Sequence, residues 1–137
     1  MRIQFFIPMK LPSATHQMKK WGVRNGKPYS YEPQSVKDAR QKFMACLVKY
    51  TPELPLQGPL SLTTQWIYPA DSRHPDKTWK VTKPDTDNLV KLLKDVMTTL
   101  RFWEDDAQVA SEIIQKFYSA GPTGLFVLIE PMTEQEE

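Results

Sequence analysis

The segment from Asn88 to Leu100 places the strongest constraint on how this chain can fold. Its apolar residues recur three and four positions apart, and together they cover a helical face roughly 100° wide. Such a segment predicts an amphipathic helix whose apolar face must be buried in a core. The predicted face consists of Leu89, Leu92, Leu93, Val96, Met97 and Leu100.

Four other segments have the alternating polarity of strands. Residues 3–8 end at a proline, and residues 59–69 follow a segment rich in proline, so both are bounded as strands usually are. Residues 108–119 and 124–131 predict two further strands. Because only a short Ala-Gly-Pro-Thr-Gly turn separates these two, we expect them to pair as a hairpin.

A second helix is predicted for residues 35–50, which carry one apolar stripe and begin with Ser35 and Asp38 in the spacing of a capping box. Residues 11–35, ahead of it, contain Pro, Gly and an Asn-Gly pair without any period, which predicts a long loop. The order of elements predicts a small single α/β (α+β) domain, with a mixed β-sheet of about four strands and two main helices.

Length and composition support one compact domain. The 137 residues and the 40% hydrophobic fraction suffice for one core, to which we assign residues 1–132. Residues 133–137 form an acidic tail that we expect to fray.

No apolar run approaches the roughly 20 residues that span a bilayer, and proline breaks the first apolar run too soon for a signal peptide. A single cysteine, Cys46, excludes an internal disulfide, suits a reducing cytoplasm and is expected to be buried and inert.

The net charge of +2 conceals an asymmetry along the chain. Residues 1–83 contain 14 basic and 5 acidic side chains, a balance of +9, whereas residues 84–137 contain 4 and 11, a balance of −7. The first part can form a phosphate-binding surface, and the second can hold a cation. The alternative interpretation is that these charges only keep a small domain soluble.

Two acidic groups flank the helix of residues 88–100. Asp85 and Asp87 precede it, and the run Glu104, Asp105 and Asp106 follows it. Carboxylates this close repel each other unless a cation neutralises them, and Mg²⁺ prefers carboxylate oxygens. Such an ion can activate a water and neutralise a phosphodiester during in-line attack.

Each acidic group also has a purely structural interpretation. One of the two aspartates can cap the helix, where the dipole stabilises a negative charge. Asp87, Lys91 and Asp95 are spaced four apart and can form surface ion pairs, while the second acidic run can be a solvated turn. If a cation is bound, Lys91 is close enough to stabilise charge on a phosphate. The histidines, His16 and His74, stand apart in polar loops, which argues against zinc.

Together the two acidic groups resemble the RusA-type Holliday junction resolvases. The family pattern is Asp-x-Asp-Asn-Leu-x-Lys at the start of a helix, followed by an Asp-Asp-x-Gln turn before a strand. Both occur here, as KPDTDNLVK and EDDAQV. A Tyr-x-Pro before the first helix and a Gly-Pro before the second strand fit as well, so the resemblance covers nearly the whole chain. The basic loop THQMKKWGVRNGKP departs from it, because it lacks the Arg-Pro-Arg-like run of some members.

The resemblance implies a homodimer that uses Mg²⁺, or Mn²⁺ in its place, to cut two opposed strands of a four-way DNA junction. It needs no small-molecule cofactor and no membrane. By the same resemblance Asp85, Asp87 and Asp106 are metal ligands and Lys91 is the catalytic lysine. Asp105 is an alternative ligand or a neighbour that orients the ligands. We assign Asp95 only a salt bridge.

Two basic segments are then candidates for binding DNA, since cations in loops can bind backbone phosphates without recognising the base sequence. Trp21 and Trp79 lie among these cations and can stack on unpaired bases, although packing within the protein is an equal alternative. A binding protein without activity, and a nuclease for flaps or forks, are the alternative functions. The candidate DNA-binding residues are Lys19, Lys20, Arg24, Lys27, Arg73, Lys77, Lys80 and Lys83.

Overall fold

A computed structural model describes residues 2–11 and 20–133. Within these residues the chain forms six strands and two α-helices, with single 3₁₀ turns at Val48–Tyr50 and Asp106–Gln108. In chain order the elements are β1 (Ile3–Pro8), β2 (Lys20–Arg24), β3 (Lys27–Tyr31), α1 (Gln34–Leu47), β4 (Leu60–Pro69), α2 (Thr86–Thr99), β5 (Val109–Ser119) and β6 (Gly124–Pro131).

Four of the strands form one mixed sheet in the order β1-β6-β4-β5. β6 is antiparallel to both of its neighbours, whereas β4 and β5 are parallel. Parallel neighbours require a crossover connection, which α2 provides here. The predicted fold class, a small α/β domain with a mixed four-stranded sheet and two helices, is confirmed.

The two helices cover one face of this sheet, and alternate residues of the strands are buried beneath them. Trp66 of β4 and Trp103, after α2, are fully buried, and each indole N–H donates to a threonine hydroxyl, Thr64 and Thr98 respectively. The apolar face predicted for α2 is confirmed, since its residues from Leu89 to Met97 join this core. Among the described helices, none has the length and apolarity needed to cross a membrane.

The predicted hairpin of the last two strands is wrong. β5 pairs with β4, and β6 lies on the other side of β4, where it also pairs with β1. The short turn therefore does not determine the pairing, since β4 lies between the two strands. Gly124 lets β6 begin against the end of β1, since a Cβ at this position would overlap the carbonyl oxygen of Ile7.

The long loop predicted for residues 11–35 is also wrong over its described part. Lys20–Arg24 and Lys27–Tyr31 pair as an antiparallel hairpin. Asn25 and Gly26 occupy its turn with φ of 53° and 74°, the left-handed conformation at both central positions that a tight hairpin requires. The Asn-Gly pair therefore connects two strands rather than interrupting structure.

Helix boundaries differ from the predicted ones by a few residues. α1 begins at Gln34 after Pro33, and no side chain caps it, so the predicted Ser35 capping box is absent. The Pro33 carbonyl instead accepts from the first-turn amides. Cys46 is half-buried, not fully buried as predicted. Of the predicted acidic tail, residues 134–137 lie outside the described residues.

Candidate active site

The start of α2 presents two aspartates whose side chains make no hydrogen bond or ion pair with the described residues. Asp85 is the residue before the helix, in an extended conformation, and its side chain makes no capping hydrogen bond. Its contribution to the helix is its carbonyl oxygen, which accepts from Leu89 N. Asp87, in the first turn, is exposed and makes no ion pair within the described part of the chain. The capping role, which would account for one aspartate, is therefore not used.

Two further polar residues of α2 lie near these carboxylates. Lys91 is one turn beyond Asp87 and exposed. Asn88 is buried, and its side-chain oxygen Oδ1 has no hydrogen-bond partner. A buried amide oxygen without a partner is costly, so it marks a place where a further donor or a cation would be stabilising.

The second acidic run is fixed by hydrogen bonds of its own. Asp105 caps the short 3₁₀ turn by accepting from Ala107 N at 2.9 Å. Gln108 closes the turn, because its Oε1 accepts from the amides of Glu104 and Asp105. The Asp105 carboxylate thus accepts a hydrogen bond within the turn itself. Asp106 is half-buried, and its carboxylate makes no hydrogen bond with the described residues.

Gln108 also attaches this turn to the segment before β4. Its Nε2 donates to the carbonyls of Leu56 and Gly58, each at 3.0 Å. The turn therefore lies beside the beginning of β4. Nothing in the Asp-Asp-x-Gln spacing reveals this role of the glutamine, since its partners are 50 residues or more away along the chain.

The two acidic groups lie at opposite ends of α2. A helix of 14 residues is about 20 Å long at about 1.5 Å per residue. Asp106 follows its C-terminus and lies beside the start of β4, whereas Asp85 precedes its N-terminus. Among the described residues, no three His, Cys, Asp or Glu side chains lie together as a metal site. One protomer thus brings Asp85 and Asp87 together but does not bring Asp106 to them.

The donors at the start of α2 fit a hard divalent cation. Asp85 and Asp87 offer carboxylate oxygens, and the unpartnered Oδ1 of Asn88 lies in the same helical turn. Mg²⁺ keeps several waters and binds through one or two carboxylates. The donor set lacks Cys and His within the described residues of this segment, as expected for oxygen-bound ions.

Lys116 of β5 is a residue near this site that the sequence did not indicate. Its Nζ donates to the carbonyls of Thr82 and Pro84, both at 2.8 Å, in the segment that leads to Asp85. Burial lowers the pKa of Lys116, the Lys80 ammonium lowers it further, and Asp85 acts in the opposite direction. The lysine is separated from these partners by more than 30 positions, so no local motif points to it.

The first basic segment lies on the β2–β3 hairpin. Trp21 is 73% exposed, and the Arg24 guanidinium lies 5.2 Å from the centre of the Tyr29 ring. Lys27 is exposed as well. Lys19 and the side chain of Lys20 lie outside the described residues.

The second basic segment is attached to the outer edge of β5. Backbone hydrogen bonds join Lys77, Thr78 and Lys80 to Tyr118 and Lys116. Of its four cations, Arg73, Lys77 and Lys83 are exposed, whereas the Lys80 ammonium lies 4.8 Å from the centre of the Tyr68 ring and donates to Thr82 Oγ1.

Aromatic residues flank this segment. Trp79 is 63% exposed and contacts Phe117 edge-on. His74, which the sequence places in a polar loop, is half-buried, stacks on Tyr118 and contacts Asp71. Its side-chain hydrogen bond is the main cause of the lowered pKa of Asp71. His74 therefore has a structural role in this loop.

Similar proteins are known, and the matched region includes the residues of this site. The chain matches the family model described as Endodeoxyribonuclease RusA over residues 4–130, which include both acidic groups. It is 31% identical over 111 residues to the crossover junction endodeoxyribonuclease rusA of Lactococcus phage r1t, covering 80% of this chain and 83% of the phage protein. It is 32% identical over 111 residues to YqaN of Bacillus subtilis (strain 168), described as uncharacterized, covering 73% of this chain and 78% of that protein.

Proposed function

The chain belongs to the RusA endodeoxyribonuclease family, and we propose that it is a Mg²⁺-dependent nuclease that cuts two opposed strands of a four-way DNA junction. Family membership makes it a DNA-cleaving hydrolase. The observation that carries the proposal is the pair Asp85 and Asp87, exposed at the start of α2 and without a capping bond or an ion pair among the described residues. Two exposed carboxylates one residue apart repel each other, and a bound divalent cation would stabilise both.

Asp85, Asp87 and Asp106 would hold the metal, with Asn88 Oδ1 beside them as a further oxygen. When bound, Mg²⁺ supplies a more acidic water and a positive charge against the phosphodiester. Lys91, exposed one turn into α2, binds a phosphate oxygen and stabilises the negative charge that develops there. Asp105 keeps the second acidic turn folded, so we assign it a positioning role rather than a ligand role.

We propose that the active protein is a homodimer and that each metal site takes residues from both protomers. Asp106 is about 20 Å from the pair Asp85 and Asp87 along α2, so one protomer does not assemble the three carboxylates. A two-fold dimer can place the Asp106 end of one protomer against the Asp85 end of its partner, twice. The same symmetry presents two sites to two strands of a four-way junction.

The basic residues would bind the DNA backbone. The hairpin residues Arg24 and Lys27 and the loop residues Arg73, Lys77 and Lys83 are exposed, as phosphate contacts must be. Trp21 and Trp79 are exposed flat side chains suited to stacking on unpaired bases at a branch point. Lys80 is held by neighbouring side chains, and we propose that it supports the loop instead. We propose that the protein acts in the cytoplasm, on DNA in recombination, repair or phage DNA processing.

Cleavage of a synthetic four-way junction by Asp87→Asn tests this proposal. We expect the variant to lose Mg²⁺-dependent cleavage by at least about 100-fold, because it loses a metal ligand, while junction binding on a gel is retained. The matched control is Asp38→Asn, which changes an exposed aspartate of α1 bonded to Gln34. Cleavage by Asp87→Asn at the wild-type rate would show that the site assignment is wrong.

Substrate controls separate the alternative functions. Linear duplex and flap substrates are incubated beside the junction, with and without Mg²⁺ or Mn²⁺. Preferred cleavage of flaps would identify a different nuclease. Junction binding without cleavage under either ion would identify a binding protein that lacks activity.

A further inference from the structure

Lys116 lies in β5 on the side of the sheet that the helices cover. It is in register with Trp66 of β4, which is fully buried beneath α1 and α2, and cross-strand partners point to the same face. Glu112, four positions earlier on the same face, forms an ion pair with Lys94 of α2. α2 therefore runs along β5, with the segment that precedes the helix beside Lys116.

The Lys116 ammonium holds the backbone that leads into α2. Backbone hydrogen bonds attach the preceding loop to β5, and the last of them joins Lys80 N to Lys116 O. Within the described chain, no backbone bond attaches residues 81–84 to the sheet beyond that point. The carbonyls of Thr82 and Pro84 are instead bound by Lys116 Nζ, each at 2.8 Å.

The position of Asp85 depends on this attachment. Its carboxylate makes no capping bond and no other hydrogen bond with the described residues. The Pro84 carbonyl that Lys116 binds belongs to the peptide unit that joins Pro84 to Asp85. We propose that Lys116 is a positioning residue that fixes Asp85 for the divalent cation, an inference that rests on the proposed function of the aspartate pair.

The charge of Lys116 and its hydrogen bonds have opposite expected effects on metal affinity, and this makes the inference testable. A lysine near a metal site repels the dication, so removal of the charge would by itself tighten metal binding. Loss of the two carbonyl contacts would free the segment before Asp85 and weaken binding. Residues that orient metal ligands change metal affinity by about 10- to 100-fold when they are mutated, so we expect positioning to dominate.

The experiment measures Mn²⁺ binding to the full-length protein without DNA, from the electron paramagnetic resonance signal of the free ion. Lys116→Met is expected to bind Mn²⁺ about tenfold more weakly than wild type, whereas Lys116→Arg, which keeps the charge and several donors, recovers most of the affinity. Lys94→Met, which removes another half-buried lysine that contacts β5, is the control and is expected to bind as wild type does. Hydrogen exchange of residues 81–87 without metal is expected to be faster in Lys116→Met alone.

Unchanged or tighter Mn²⁺ binding by Lys116→Met would overturn the inference. Hydrogen exchange in α1 and β6 checks that the variant is folded, and Lys116→Gln, which keeps one amide donor, is measured in its place if it is not. The variant Asp87→Asn distinguishes failure of the proposed Lys116 role from failure of the proposed metal site. If it abolishes Mn²⁺ binding while Lys116→Met has no effect, only the role of Lys116 is wrong. If Asp87→Asn binds as wild type does, the metal site is wrong and the role of Lys116 falls with it.

Discussion

At the scale of single residues, the polar side chains near the site fall into two kinds, those without a hydrogen-bonding partner and those bound to distant backbone. The carboxylates of Asp85 and Asp87 have no hydrogen-bonding partners among the described residues, whereas Gln108 Nε2 and Lys116 Nζ donate to distant backbone carbonyls. The first kind can be predicted from sequence, because adjacent acids before a helix are a local pattern. The second kind cannot, since Gln108 in a 3₁₀ turn and Lys116 in a strand acquire their roles from segments more than 30 residues away.

Gln108 gives a prediction at this scale. Gln108→Ala removes the acceptor of two backbone amides and the donor to two carbonyls, so we expect the free energy of unfolding to fall by about 1–3 kcal/mol. Urea denaturation measures this change. Gln57→Ala is the matched control, because Gln57 lies in the facing segment with only two longer contacts, of 3.2 and 3.3 Å. Its loss should change the free energy by less than about 0.5 kcal/mol. Equal effects of the two substitutions would contradict the role of Gln108.

At the scale of elements, periodicity identified both helices and the four strands of the main sheet, because each has an apolar face that repeats along the chain. It missed the β2–β3 hairpin, whose described residues are mostly exposed and therefore carry no buried period. The local signal for this hairpin is the Asn25-Gly26 pair, which is typical of a tight hairpin turn. Strand pairing was also missed, since the position of β6 between β1 and β4 depends on contacts between segments far apart in sequence.

The hairpin supports a second prediction. If Arg24 and Lys27 bind backbone phosphates, the double variant Arg24→Ala/Lys27→Ala should bind the junction more weakly at every sequence tested. The slope of log affinity against log salt should fall by about two, since each duplex phosphate contact contributes about 0.9. Fluorescence anisotropy at four salt concentrations measures both quantities.

Control substitutions make that measurement specific. Lys37→Ala/Lys49→Ala removes two other exposed cations, from α1 and the 3₁₀ turn after it. The net charge changes equally in both double variants. A hairpin variant that keeps the wild-type salt slope, or a control variant that loses as much, would show that the hairpin does not bind DNA.

At the scale of the whole molecule, the length of α2 decides how the acidic groups can act together. The sequence predicts this helix and both acidic groups as halves of one metal site, without specifying whether one protomer or two supply them. A helix of 14 residues, about 20 Å long, lies between the two groups. In the proposed dimer, Asp85 and Asp87 of one protomer meet the partner subunit's Asp106, so assembly and activity are coupled.

Heterodimers test this arrangement. Two versions of the chain, Asp87→Asn and Asp106→Asn, are co-expressed with different tags, and the mixed dimer is purified. In shared sites both substitutions fall in one site and leave the other intact. We therefore expect the mixed dimer to nick one strand of a junction at about half the wild-type rate per dimer, whereas each homodimeric variant is inactive.

The reciprocal heterodimer makes the opposite prediction, which separates shared sites from sites within one protomer. A protomer with both Asp87→Asn and Asp106→Asn is paired with a wild-type protomer. Shared sites would then each contain one substitution, so this dimer should be inactive. Sites contained in one protomer would leave the wild-type protomer intact, and the dimer would nick the junction. Because both heterodimers carry the same two substitutions, differences in folding or DNA affinity cannot produce opposite activities, and nicking by the second but not the first would refute the shared site.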